Sequence, residues 1–292
     1  MECRWGWRPP PKTRLPPNQA TLLCTRHVQR AAYRCATVRS LNFFSRWRNA
    51  RKLRRHALPE ALWQEALAAL PFLASWPQGE LEALRRAATL FLCEKNIVGV
   101  HGLEVSPFQR VVVAIQACMP VLKLGLSSYD NFKTVLLCPG EFSTEPEWED
   151  EDGIIHRDEE PVMGETMPGG PVLLSWPDTL EFGSACGAPA PINLVIHEFV
   201  HKLDMKNGEA NGCPPLPKEL SAERWQKTMA CAYEDFCRRV EEEEEVGIDA
   251  YAAEEPAEFF AVLSETFFVA PGRLRETYPE VYECLRLLYR FG

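Results

Sequence analysis

The 292-residue chain has no run of 18 or more apolar residues, which excludes a transmembrane helix. Its best apolar candidate, Val111 to Leu126, is broken by Gln116, Pro120 and Lys123. No apolar segment followed by a small-residue cleavage site opens the sequence, which argues against secretion. The eleven cysteines are odd in number and no two are spaced C-x-x-C. They are expected to be reduced thiols of a cytosolic protein, neither a disulfide framework nor a zinc finger. An internal repeat is lacking, and so is the D-x-[DN]-x-[DN]-G pattern of a calcium loop.

What is present is the composition of a globular protein, with 46% hydrophobic and 25% charged residues. Such a length buries a sizeable core in one large domain or two small ones. The net charge of −9 conceals a division. Residues 1–56 carry 14 Lys/Arg against the single acid Glu2, while the remainder carries 18 against 40. An acidic body disfavours a nucleic-acid partner, because phosphate binding requires clustered positive charge. Residues 1–42, rich in Pro, Arg and Cys, are expected to be a disordered basic tail or an upstream extension. The functional readings of that stretch are a nucleic-acid or membrane-surface arm and a targeting peptide.

From Leu58 the apolar residues recur at helical spacing: Leu62, Trp63, Ala66, Leu67 and Leu70, then Leu81, Leu84, Ala88 and Phe91. Ser106-Pro107-Phe108-Gln109 is a capping box that opens another helix. The region 43–130 therefore reads as a helical layer. Short strands are expected at Thr134–Cys138 and Pro171–Trp176, with the acid-dense 145–160 between them as a loop. Helices follow over Asn193–Asp204, from Ser221 toward the Glu241–Glu245 run, from Pro256 to Ala270, and over Pro279–Tyr289. Residues 131–292 form the second region, packed with the first as one globular unit.

The segment that carries chemistry is Leu194-Val195-Ile196-His197-Glu198-Phe199-Val200-His201-Lys202-Leu203-Asp204, which contains H-E-x-x-H without a helix breaker. Residues four apart share a helix face, so His197 and His201 can aim their imidazoles at one zinc ion. Glu198 stands beside that point, where a carboxylate can take a proton from an activated water. The apolar flanks bury this helix, and buried polar groups must be satisfied internally. A third ligand is expected from an acid in an apolar setting. Glu258, one turn into the helix after Pro256 and followed by five apolar residues, is the choice. Glu265, seven residues later on the same face, orients a histidine or fills an ordinary buried hydrogen-bond role. Asp204 is a similar candidate. Cys186 and Cys213 flank the helix as groups for metal or oxidant, or as inert thiols.

At these residues the sequence resembles the Mlc titration factor family of zinc-dependent peptidases. The likeness runs from about Phe43 to the C-terminus. It rests on W-Q-E-A-L, P-V-L-K-L-G-L at 120–126, E-W-E-D-E-D-G at 147–153, H-E-F-V-H-K-L-D at 197–204 with N-G at 207–208, and D-A-Y-A-A-E-E-P-A-E-F-F-A-V-L-S-E-T-F-F at 249–268. Residues 1 to about 40 have no counterpart in it.

The resemblance implies an α+β fold: a mainly helical, zincin-like metallopeptidase domain, similar to that of anthrax lethal factor, with a small β-sheet and an N-terminal helical layer. It implies one Zn2+ per chain held by His197, His201 and Glu258, with Glu198 as general base and Tyr251 as a second catalytic group. The expected function is cytoplasmic, zinc-dependent hydrolysis of a peptide or protein substrate, of aminopeptidase type. The alternative it implies is a regulatory protein that sequesters a transcriptional repressor, its zinc site secondary. Independently of the resemblance, the strand at Pro171–Trp176 is expected to form the cleft edge and pair with extended substrate.

Overall fold

The computed structural model describes residues 47–140, 148–149, 155–156, 164–166, 169–180 and 193–291. The expectations for the basic tail and for Cys186 lie outside the described residues. The described residues from Lys52 onward gather into one compact unit.

Apolar spacing shapes the first layer. Helix α1 (Glu60–Ala68) buries Trp63 and Ala66, and α2 (Gln78–Glu94) buries Leu84, Ala88 and Phe91. Helix α3 (Pro107–Cys118) starts on the expected capping box. The Gln109 N–H donates to Ser106 Oγ at 3.2 Å, and the Ser106 N–H donates to Gln109 Oε1 at 2.7 Å. Every residue from Val111 to Cys118 is buried. A helix apolar on all sides must be enclosed, and α1 and α2 pack against it.

The strands are β1 (Asn96–Gly99), β2 (Thr134–Cys138), β3 (Trp148–Glu149), β4 (Ile155–His156), β5 (Gly164–Thr166) and β6 (Val172–Ser175). One sheet has the order β1-β2-β6-β5, with β1, β2 and β6 parallel and β5 antiparallel to β6. Strands β3 and β4 form a separate antiparallel pair within the stretch expected to be a loop. The expected strands at 134–138 and 171–176 are present. The role expected for the second is not: β6 is hydrogen-bonded on both sides, to β2 and to β5, so it cannot offer a free edge. Among the described residues the edge on that side of the sheet is β5.

Helix α4 (Leu194–Asp204) carries the H-E-x-x-H segment, and Asn193 caps it by accepting the Ile196 N–H on Oδ1 at 2.9 Å. Helix α5 (Ala222–Glu241) is capped by Ser221, as expected. Helix α6 (Pro256–Val269) ends where Ala270-Pro271-Gly272 predicts a break. There Pro271 takes the first position of α7 (Pro271–Thr277), and α8 (Pro279–Tyr289) follows. The architecture is thus mainly helical with a small sheet, an α+β arrangement. None of the described helices is long and apolar enough to cross a membrane.

The back of α4 is gripped by aromatics. The Phe199 ring sits 5.7 Å from Phe91, 5.2 Å from Tyr129 and 5.7 Å from Phe132, centroid to centroid. These contacts hold the helix while its opposite face meets α6.

Candidate metal centre

Helical spacing places His197 and His201 one turn apart on α4, with their Nε2 atoms 3.0 Å from each other. Glu258, in the first turn of α6, brings Oε2 to 2.8 Å from His197 Nε2 and Oε1 to 3.3 Å from His201 Nε2. The three side chains are the one group of potential ligands found among the described residues.

His197 Nδ1 lies 2.7 Å from Glu265 Oε1. A carboxylate can only accept, so the imidazole carries its proton on Nδ1 and presents a lone pair at Nε2. In the neutral ring that lone pair faces Glu258 Oε2, a buried carboxylate oxygen 2.8 Å away. Electron-rich atoms crowded in this way require a positive charge among them, either a second proton on the imidazole or a metal ion. Four-coordinate zinc with bonds of roughly 2.0–2.1 Å sets its ligands about 3.3 Å apart; one separation here matches at 3.3 Å and the others, 2.8 and 3.0 Å, are tighter. The donor set, two imidazoles and a carboxylate, suits zinc and leaves a fourth position.

The electrostatics express the same demand. Burial opposes charge on His197, yet hydrogen bonds to Glu258 and Glu265 hold its pKa well above the ordinary value. Glu258 is also penalised by burial, but its bonds to His197 and His201 prevail and lower its pKa to about 2. Glu198 is buried and its pKa is raised by desolvation, with His197 and His201 pulling the other way. The Thr166 hydroxyl of β5 donates to the Glu198 backbone carbonyl at 3.3 Å, so the sheet edge adjoins the H-E-x-x-H helix.

Tyr251 stands on the short turn Ala250–Ala253, its ring centroid 6.1 Å from that of His197 and 47% exposed. Partial burial, and after it the charge of Glu258, raises its pKa, so it remains a phenol across the neutral range. The turn is fixed by Asp249, which accepts the Tyr251 N–H at 3.0 Å, and by Tyr233, whose hydroxyl donates to the Ala253 carbonyl at 2.9 Å.

A profile described as glucose-regulated metallo-peptidase M90 matches residues 44–290. The chain belongs to the M90 metallopeptidase family. Relatives at this level include Mlc titration factor A of Klebsiella pneumoniae subsp. pneumoniae, 37% identical over 235 residues (79% of this chain and 86% of that one). The protein of the same name from Serratia proteamaculans is 38% identical over 234 residues, covering 79% and 87%. That from Escherichia fergusonii is 36% identical over 241 residues, covering 81% and 87%.

Within this M90 chain the structure brings His197, His201, Glu258, Glu198, Glu265 and Tyr251 to one place. Asp204 lies at the far end of α4, turned to the loop after it, with Oδ2 accepting the Asn211 and Gly212 N–H groups at 2.7 Å each. Cys213 is half-buried in that loop. Sequence reasoning overlooked Thr166, because a three-residue strand has no alternation to detect. It also overlooked the buried chain behind His197. There the Asn193 N–H donates to Glu265 Oε2 at 2.5 Å, and Asn193 Nδ2 donates to Gln116 Oε1 at 2.7 Å. A signal existed for Gln116, which is the one strongly polar side chain in the run Val111–Cys118.

Proposed function

We propose that the chain is a zinc-dependent peptidase whose metal is held by His197, His201 and Glu258. The observation that carries the reading is the approach of these three side chains within 4.8 Å of one another, with Glu198 adjoining them on α4. When bound, the ion supplies Lewis acidity toward a water and a substrate carbonyl. Glu198, the neighbour that is not a ligand, takes the proton of the attacking water and returns it to the leaving amine. The Tyr251 phenol, protonated at neutral pH, donates a hydrogen bond to the oxygen on which charge develops. Glu265 keeps the His197 proton on Nδ1 and so keeps Nε2 available. Extended substrate pairs with the edge strand β5, in place of the β6 edge that the sequence suggested.

The tail at 1–42, the helical region 43–130 and the catalytic region 131–292 belong to this proposal. Pairing of β1 with β2 supports joint action of the two regions. A cytoplasmic location is supported by the cysteines, since all seven described ones are free thiols. Aminopeptidase-type cleavage is the specificity that the family resemblance suggests.

The deciding experiment measures zinc content and peptide hydrolysis for wild type and Glu198→Gln. The variant should retain stoichiometric zinc while hydrolysis falls by about 10²–10⁴-fold. Full hydrolysis by Glu198→Gln refutes the assignment of the base. A second reading is favoured by the relatives' name, Mlc titration factor A. In that reading the chain sequesters a transcriptional repressor and the metal is secondary, so repressor binding should survive Glu198→Gln unchanged.

A further inference from the structure

The loop after α4 ties both ligand-bearing helices together through one glycine. Gly212 has a left-handed backbone, φ +73°, that L side chains rarely adopt. Its N–H donates to Asp204 Oδ2 on α4 at 2.7 Å, beside the matching bond from Asn211. Its carbonyl accepts from the Trp225 indole of α5 at 2.9 Å. The Trp225 ring in turn packs on Phe260 of α6, 5.5 Å between centroids. On its third side Gly212 abuts the start of α6. A β-carbon at this position would drive into the Pro256 carbonyl, 3.0 Å from its carbon and nearer still to its oxygen. Pro256 is the first residue of the helix and lies two positions before Glu258.

We infer that Gly212 is a positioning residue that sets the distance between the histidine pair and Glu258. The deduction rests on the metal-centre reading above and deepens it. Asp204 fixes the loop to the helix of His197 and His201, and the bare α-carbon of Gly212 fixes how closely the first turn of α6 can approach. A working ligand constellation tolerates displacements of only about 0.5 Å. Any side chain at residue 212 pushes Pro256 outward and carries Glu258 with it.

The test compares Gly212→Ala with Gly102→Ala in the full chain, reading Zn2+ affinity by competition with a chelating dye. Gly102 has a similar left-handed backbone, φ +82°, and open space where its β-carbon would go, so it matches the backbone strain without the contact. Gly212→Ala should weaken zinc binding on the order of 10–100-fold, whereas Gly102→Ala should leave it unchanged. In a Glu258→Gln background the Gly212→Ala loss should disappear, because the strut acts through that ligand. A loss of the same size in that background would mark a general disturbance of the fold and overturn the inference. Equal zinc affinity for the two alanine variants overturns it as well, with wild-type binding intact showing that the metal centre itself stands. Wild-type protein that takes up no zinc defeats the metal-centre reading and this inference together. Should Gly212→Ala not fold, Trp225→Phe removes the bond to the Gly212 carbonyl together with part of the buried indole ring. It should lower the affinity in the same direction by a smaller factor, and an unchanged affinity counts against the strut.

Discussion

Replacing Glu265 with glutamine tests the carboxylate behind His197 with little change of shape. Glu265 is buried, 2% exposed, and both of its oxygens are committed: Oε1 to His197 Nδ1 at 2.7 Å and Oε2 to the Asn193 N–H at 2.5 Å. Burial raises its pKa, with the His197 bond the main opposing influence. Glutamine has one acceptor oxygen where glutamate has two. If that oxygen stays on Asn193, the new amide meets His197 Nδ1 and favours the tautomer protonated at Nε2, where the ligand lone pair is needed. If it stays on His197, the Asn193 N–H at the entrance of α4 loses its partner in the interior, at about 1–3 kcal/mol. The first outcome acts on the metal and the second on the fold. Loss of a partner that orients a metal-bound histidine typically lowers affinity 10–100-fold, or about 1.4–2.7 kcal/mol. The assay is a zinc competition titration of wild type and Glu265→Gln, with thermal unfolding of both metal-free proteins beside it. A zinc affinity within twofold of wild type would falsify the tautomer argument.

Two further outcomes follow from the same geometry. Tyr251→Phe should lower kcat by about 10²-fold, the scale of one lost oxyanion donor, with zinc affinity unaltered; an unchanged kcat removes Tyr251 from the mechanism. The third concerns stability. The Lys95 ammonium donates to the Tyr129 carbonyl and, at 2.7 Å, to that of Phe132. Burial, followed by the charge of Lys133, lowers its pKa to about 8. An unfolded lysine titrates near ~10.4, so between these values the unfolded chain binds more protons and stability must rise with pH. The gain is at most about 3 kcal/mol. Denaturant melts from pH 8 to 9.5 should show the rise in wild type and less of it in Lys95→Met. Identical slopes would place the titration elsewhere.

The candidate metal centre was legible because its determinants are local or chemically conspicuous. His197 and His201 sit at helical spacing in an apolar run, and Glu258 is an acid placed two residues after a helix-starting proline. Caps at Ser106 and Ser221 marked two helix starts for the same reason. The sheet was only half legible. Strand β5 has three residues, too few for an alternating pattern, and β1 begins on Asn96 and ends on Gly99, residue types that strands disfavour. The order β1-β2-β6-β5 depends on pairings between distant segments, which local sequence does not encode. That is why β6 was misplaced at the edge. Gly212 was silent for another reason: its importance lies in what its missing side chain would strike, and that neighbour is 44 positions away.

The parallel pairing of β1 with β2 joins residues 38 positions apart, and β2 to β6 spans a similar interval, Val135 to Val172. Nonlocal ladders of this kind form slowly during folding, because loop closure precedes any reward. The surface that supports α4 is therefore complete only after most of the polypeptide is in place. In the proposed reading, zinc offered to a partly synthesised or partly denatured chain would meet two histidines without their carboxylate, so full-affinity capture of the ion would follow assembly.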